Sequence, residues 1–319
     1  YQRVLGLGGA CLTPDNKEMY LTISFNDPEK GPKHRNTQLY SSILKDGSWS
    51  SFKSLGDHIN DENKEPTWEG QPTISSDGKM MIFASARPSS TSIEFDGVTI
   101  STMDLFYVTK LDNGKWSGPR SLGPVINTNR NEKTPFLHTE SKTLYFASNM
   151  PGGLGESDIW KVSIDANGYG KPQNLGANVN TADKENFPFI DEDDTLYFAT
   201  MGRQGFGGYD VYRANLNDAK PAQNLGKPVN SEKDDFSFSF NKTLNIGYFS
   251  SNRDNDTLGS TSGRIIRGNN QLDLFSIGYP VVDSVLTRIT STPLANETWP
   301  LSADFGRVYY LSDESGISN

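Results

Sequence analysis

One cysteine, Cys11, stands in 319 residues, so no internal disulfide can form. The three histidines, His34, His58 and His138, do not fall at zinc-ligand spacings. No apolar run is long enough for a transmembrane helix, and no secretory leader is visible. Helical periodicity is hard to find anywhere. Basic charge is outweighed, with 30 Lys and Arg against 39 Asp and Glu, a net charge of −9 and a pI of about 4.9. An acidic surface repels phosphate backbones and anionic headgroups, so neither nucleic acid nor direct membrane insertion is expected. The hydrolase elbow Gly-x-Ser-x-Gly is missing too, because Gly259-Ser260-Thr261-Ser262-Gly263 places threonine at its centre.

What the chain has is turn residues and short apolar runs. Gly numbers 30, Pro 17, and 11% of residues are aromatic, a mixture that suits many short strands rather than helices. One motif returns four times: Leu55-Gly56 with Ile59-Asn60, Leu122-Gly123 with Ile126-Asn127, Leu175-Gly176 with Val179-Asn180, and Leu225-Gly226 with Val229-Asn230. The copies lie 67, 53 and 50 residues apart. A period near 50 marks one supersecondary unit copied and stacked, in the size range of propeller blades.

Each unit opens on a polar turn, such as Ser76-Asp77-Gly78-Lys79 or Glu192-Asp193-Asp194. An apolar strand follows, as in Met81-Ile82-Phe83-Ala84, Leu144-Tyr145-Phe146-Ala147 and Leu196-Tyr197-Phe198-Ala199, with aromatics on both faces. After a Gly-rich loop a third strand begins on Asp104, Asp158, Asp210 or Asp273. An aromatic (Trp49, Trp116 or Tyr169) then precedes the Leu-Gly pair by six residues in three copies and is expected to pack between blades. The expectation is all-β: a six-bladed β-propeller of four-stranded antiparallel blades over residues 1–319, with blades starting near 8, 69, 133, 186, 235 and 299. The sixth unit stops after two strands, so residues 1–7 are expected to pair with 299–319 and close the ring. The second and fifth units carry insertions at 89–102 and 254–270, placed on a binding face.

Written out, these units resemble the WD40-like β-propeller repeat of the TolB propeller and of OmpA-type envelope proteins. The resemblance rests on Thr143 to Trp160, on Trp116-Ser117-Gly118-Pro119 through Asn127, and on Ile246 to Arg253, and it covers nearly the whole chain. It implies a periplasmic or outer-membrane-associated protein of a Gram-negative envelope. The Pro-Gly-Gly-x-Gly and Leu-Gly-x-x-Ile-Asn variants look most like proteins of Bacteroidetes-type bacteria, including one that serves type IX secretion. The stretch after Pro280 looks more like TolB. Three triplets, Asp194-Thr195-Leu196, Asp256-Thr257-Leu258 and Asp283-Ser284-Val285, look like O-glycosylation acceptors of such exported proteins.

Chemistry-bearing motifs are sparse. The Gly-rich loops are followed by no Lys and hydroxyl pair, so they read as turns rather than phosphate cradles. The Asp that recurs in every blade is expected to bond backbone within its own blade, a structural role shared with Gly56, Gly123, Gly176 and Gly226. No cofactor or metal is expected, since the acidic clusters 183–185 and 191–194 do not follow calcium-loop spacing. Cys11 is expected to be a small buried hydrophobe in an inner strand. The reading is therefore a non-catalytic interaction scaffold for envelope proteins or peptide segments. Its candidate partner-binding residues are Glu69, Glu132, Glu185 and Asp235 around a channel mouth, with Arg87, Arg203 and Arg253. The alternative is a glycan-binding or glycan-cleaving propeller, which needs paired carboxylates beside aromatic platforms such as Trp68, Tyr209 and Trp299.

Overall fold

The computed structural model describes residues 3–26, 35–45, 48–61, 68–87, 93–95, 98–100, 102–165, 168–241, 246–253, 272–278, 287–288, 297–304 and 307–312. Within these, five antiparallel sheets follow one another along the chain. Blade 1 comprises Arg3–Leu12, Glu18–Asn26 and Arg35–Lys45, with Ser48–Trp49 and Lys53–Ser54 both paired to the third strand. Blade 2 comprises Glu69–Ile74, Met80–Ser85, Asp104–Thr109 and Arg120–Ser121. Blade 3 runs through Glu132–His138, Thr143–Ser148, Asp158–Asp165 and Gln173–Asn174, and blade 4 through Glu185–Ile190, Thr195–Thr200, Asp210–Asn215 and Gln223–Asn224. Blade 5 holds Asp235–Asn241, Ile246–Ser251, Asp273–Gly278 and Thr287–Arg288. The one described α-helix is the short Asp57–Asn60, and among the described residues no helix is long and apolar enough to cross a membrane.

The second strands explain the packing. Leu144, Phe146, Leu196, Tyr197, Phe198 and Phe249 are each at most 1% exposed, so both faces of these strands are covered. Neighbouring blades share the resulting clusters. Ile82, Leu105 and Leu122 of blade 2 pack with Leu144, Phe146 and Trp160 of blade 3. Tyr197 and Val211 of blade 4 pack with Phe238, Phe249 and Phe275 of blade 5. Each such fully buried side chain contributes roughly 1.5–3 kcal/mol. Trp116 of blade 2 meets Tyr20 of blade 1 edge-on at 5.8 Å, and Tyr169 packs on the cluster shared by blades 2 and 3. Trp49 is half-buried opposite Leu44 of its own blade.

The ring has five blades, not the expected six. At each junction the backbone near the start of one blade's third strand meets the start of the next blade's first strand. Thr37 bridges Trp68, Glu132 N–H donates to Met103 O at 2.6 Å, Glu185 N–H to Ser157 O at 2.7 Å, and Asp235 N–H to Tyr209 O at 2.7 Å. The fifth junction repeats the pattern between the last blade and the first: Gly6 bridges Leu272 in parallel, and Leu7 N–H donates to Leu272 O at 3.0 Å. No gap is left for a sixth sheet. Residues 3–7, expected to pair with the C-terminal segment, are instead the start of blade 1's own first strand, matched against Ile23–Asn26. The segment expected to open a sixth blade at Trp299 forms a separate two-stranded hairpin, Glu297–Asp304 with Arg307–Ser312. The physical reason is that, among the described residues, this unit supplies no third strand at which the junction bond could form. Of the two insertions, 254–270 lies outside the described residues, and 89–102 is described chiefly as the hairpin Ile93–Phe95 with Val98–Ile100.

Candidate functional site

The first strands of all five blades surround an axial channel. Each breaks register at a corresponding place, Gly8/Ala10, Gly70/Thr73, Lys133/Phe136, Asn186/Phe189 and Phe236/Ser239, and the first strand of blade 1 does so once more at Val4/Gly6. One left-handed residue sits in each of the five corresponding bulges, namely Gly9 (φ 45°), Gln71 (58°), Thr134 (46°), Phe187 (57°) and Ser237 (55°). This conformation is costly for residues other than glycine, on the order of 1–3 kcal/mol each, and persists where surrounding bonds impose it. Here the bonds pass from blade to blade. Gln71 N–H donates to Thr22 Oγ1 at 2.7 Å, Thr134 N–H to Gln71 Oε1 at 2.9 Å, and Phe187 N–H to Thr134 Oγ1 at 3.1 Å. Proline follows three of these residues, at Pro72, Pro135 and Pro188. Proline inside a strand is confined to edges and bulges, so these three prolines were the available signal for the bulges.

The bulges widen the channel into a cavity of about 220 Å³ touching all five first strands. Its wall is aromatic on one side, with Phe136, Phe189 and Phe240, and carries Cys11, Gln71 and Ser237 elsewhere. Phe189 meets Phe136 at 5.1 Å and Phe240 at 5.7 Å, both edge-on. Burial pushes the Cys11 thiol up to about 12, so at neutral pH it is an uncharged, inert lining group. A second cavity of about 300 Å³ continues to the hairpin end of the channel. There Pro14, Phe136, Phe189 and Phe240 form the floor, and the turns bring His138, Glu140, Asp191, Glu192 and Asp193 to the rim. Asp191 is committed to its own turn, accepting from the N–H groups of Asp193 (2.9 Å) and Thr195 (2.8 Å). Glu140, Glu192 and Asp193 are exposed. The channel therefore narrows from an acidic rim to an aromatic interior.

The carboxylates expected at a channel mouth begin the first strands but are buried rather than open to the channel. Glu69, Glu132, Glu185 and Asp235 are at most 1% exposed and bond within the protein. Glu132 accepts from Thr128 N–H (2.9 Å), Thr128 Oγ1 (2.8 Å) and Ser148 Oγ (2.8 Å). Glu185 repeats this with Thr181 N–H (2.7 Å), Thr181 Oγ1 (2.7 Å) and Thr200 Oγ1 (2.6 Å). Asp235 takes Ser231 N–H and Oγ at 2.6 and 2.7 Å and the Arg253 guanidinium at 2.5 Å. Glu69 accepts from Ser85 Oγ at 2.9 Å and faces Arg87 at 3.4 Å. Desolvation pushes Glu69 and Glu132 up to about 7 and moves Glu185 in the same direction. The arginines are bound as well. Arg253 donates to Pro228 O and Val229 O and lies 5.0 Å from the Phe249 centroid. Arg203 donates to the carbonyls of Ala177, Asn178 and Val179. Arg87 donates to Ile59 O and lies over Phe106. All three secure the turn that leads into the next blade.

The repeated motif locks that same turn. Gly56, Gly123, Gly176 and Gly226 hold φ between 71° and 85°, a conformation glycine adopts freely. Asn127 Oδ1 accepts from Leu105 N–H at 2.9 Å while its Nδ2 donates to Leu105 O at 2.9 Å. Asn60, Asn180 and Asn230 do the same to Leu39, Ile159 and Val211. Each side chain thus imitates a paired strand residue. The recurrent Asp holds the Gly-rich loop: Asp158 accepts from the N–H groups of Leu154 and Gly155, and Asp210 from those of Phe206 and Gly207. Asp104 accepts from Thr102 Oγ1 at 3.1 Å. Asp273 begins its strand, and its side chain lies outside the described residues.

The aromatic platforms and carboxylates needed for glycan cleavage are not brought together among the described residues. Trp68 packs against the core shared by blades 2 and 3, Tyr209 bonds Asn186 and packs on Phe187 and Phe236, and the Trp299 side chain lies outside the description. No group of three or more possible metal ligands occurs among the described residues.

No protein-family model and no curated protein matches the chain. Among solved structures it is similar to the putative TolB of Agrobacterium tumefaciens, with a TM-score of 0.50 and 12% identity over 88% of this chain and 79% of that one. It is also similar to TolB of Acinetobacter baumannii (TM-score 0.43, 15% identity, 78% of this chain and 51% of that one). A third similarity is to the catalytic domain of the GH62 α-L-arabinofuranosidase of Coprinopsis cinerea (TM-score 0.48, 12% identity, 90% and 92%). At such identity the Agrobacterium structure establishes a shared β-propeller fold, and function is argued from the site.

Proposed function

We propose that this chain is a non-catalytic docking propeller of a bacterial cell envelope that takes an extended, cationic segment of a partner protein at the hairpin end of its channel. The observation that carries this reading is the funnel itself, an aromatic floor of Phe136, Phe189 and Phe240 beneath the carboxylates of Glu140, Glu192 and Asp193. Apolar side chains of a partner would bury on that floor, while the rim raises the local concentration of cations and orients them. The exported, envelope setting rests on the repeat resemblance, which also makes secretion or peptidoglycan-associated machinery the class of neighbour to search. The buried carboxylates support a binding rather than a cleaving role, because both oxygens of Glu132, Glu185 and Asp235 are engaged by Thr, Ser and Arg partners.

A photo-crosslinking residue at Pro14, which lines both cavities, tests this in living cells. The expected result is a discrete protein adduct that falls about tenfold when Glu140, Glu192 and Asp193 are all changed to Lys, and that weakens with added salt. An absent adduct, or one indifferent to charge reversal, contradicts the proposal.

A further inference from the structure

The side chains around the axial cavity fall into two layers. The bulge residues form one, and Phe136, Phe189 and Phe240, two or three residues further along their strands, belong to the second. In a chain of which 22% is charged, no charged side chain occurs among the described residues that line this cavity. Burial raises the Cys11 thiol and the Tyr248 hydroxyl, so both are neutral at pH 7. The bulge layer also carries hydrogen-bonding groups that the protein leaves open. Gln71 Oε1 accepts from the bulge N–H of the next blade, at Thr134, and Thr134 Oγ1 accepts in turn from Phe187. Phe187 has no side-chain acceptor. Its ring stacks on Phe236 at 4.7 Å, and the series ends there. Ser237 lies past this break, lines the cavity, and among the described residues its hydroxyl has no hydrogen-bond partner. Gln71 engages its amide oxygen on Thr134, while its Nε2 has no partner among the described residues. The ring order of blades 5, 1 and 2 puts Gly9 between Ser237 and Gln71. No side chain intrudes there, and a Cβ on Gly9 would stand 3.3 Å from Gln71 Cα and 3.7 Å from its Cγ.

An apolar cavity of about 150 Å³ takes up benzene. This one, at about 220 Å³, has room for one substituted ring. Phe189, 5.1 Å from Phe136 and 5.7 Å from Phe240, completes an aromatic cluster against which such a ring packs edge-on or offset. Left-handed residues other than glycine gather at ligand clamps, and four of them (Gln71, Thr134, Phe187 and Ser237) line this one cavity. We propose that the axial cavity binds an uncharged small molecule built on a single aromatic ring with one polar substituent, the ring in the phenylalanine layer and the substituent bonded at Ser237 and Gln71. An ion would lose its hydration there and meet no opposite charge. A sugar needs partners for several hydroxyls, which the few open groups of this wall do not supply. Entry is from the hairpin end, because the outer cavity shares Phe136, Phe189 and Phe240 with the inner one. The site stands whether or not a protein segment docks on the acidic rim.

Calorimetric titration of the whole chain at pH 7 with p-cresol, toluene, benzoate, benzylamine and methyl β-D-glucoside tests this. Saturable binding of p-cresol is expected, with a dissociation constant on the order of 0.1–1 mM. Toluene, which lacks the hydroxyl, should bind about tenfold more weakly, and benzoate and benzylamine at least about tenfold more weakly than p-cresol. In Ser237→Ala the preference for p-cresol over toluene should fall below about threefold. Should that variant fail to fold, Ser237→Gly takes its place, since glycine adopts a φ of 55° freely. Changing Glu140, Glu192 and Asp193 together to Lys should leave p-cresol affinity within about twofold, because a neutral probe does not respond to the rim charge that steers a cationic segment. No saturable binding of p-cresol, an undiminished preference in the Ser237 variant, a tighter fit for the glucoside or a charged probe, or a larger response to the rim overturns the proposal.

Discussion

Burial makes Glu69 and Glu132 hold their protons up to about pH 7, against an ordinary value of 4.5. The sign of the consequence follows from linkage. A carboxyl whose value is raised on folding binds a proton in the folded chain that the unfolded chain has released. Its stabilising contribution is complete below about pH 4.5 and is lost as pH rises through 7. Glu185 shifts in the same direction and adds to the effect. The urea midpoint of the wild-type chain is therefore predicted to fall between pH 5 and pH 8. Glu132→Gln offers an amide oxygen to Thr128 N–H and carries no charge at either pH, so the fall should shrink in that variant. An undiminished fall would contradict the assignment. The same burial explains why reading these residues as partner groups from sequence alone goes astray. An acidic residue at the start of a strand reads alike whether it faces water or a pair of threonines.

The turn between blades shows how a repeated motif becomes architecture. Asn127 satisfies both backbone groups of Leu105 and also donates to Ser121 Oγ at 2.9 Å. Asn127→Ala leaves a buried N–H and a buried C=O without partners, at a cost of roughly 2–4 kcal/mol. Chemical denaturation checks this, and a change below about 0.5 kcal/mol would contradict the role. The Leu-Gly-x-x-Ile/Val-Asn copies, the aromatic second strands and the Asp-led third strands were all legible in the sequence. They are local patterns whose spacing repeats. The bulges were less visible, because a left-handed Thr134 or Phe187 follows from bonds to the preceding blade and not from its own preference. Only the prolines after Gln71, Thr134 and Phe187 hinted at them. The hairpin-end funnel was missed for a related reason. Glu140 and Glu192 belong to turns about one repeat apart, and the ring brings them to one rim.

Blade number is a property of closure, and closure is not written in any one repeat. Counting motifs to the C-terminus yields a partial sixth unit, whereas the bond between Leu272 and Leu7 seals the ring after five. The axial channel, the funnel and the ligand site within it all presuppose that seal. A Cβ placed on Gly6 would stand 3.0 Å from the Leu272 Cβ, so these two positions face each other directly across the junction. Cysteines at both positions, in a Cys11→Ser background, test the closure most directly. Five blades predict an intramolecular disulfide in the monomer, formed once the two Cβ atoms part by a few tenths of an ångström and seen by mass spectrometry after proteolysis. A sixth sheet between blade 5 and blade 1 would hold the two cysteines well beyond bonding reach. Failure of the folded monomer to form the bond would contradict the five-bladed ring.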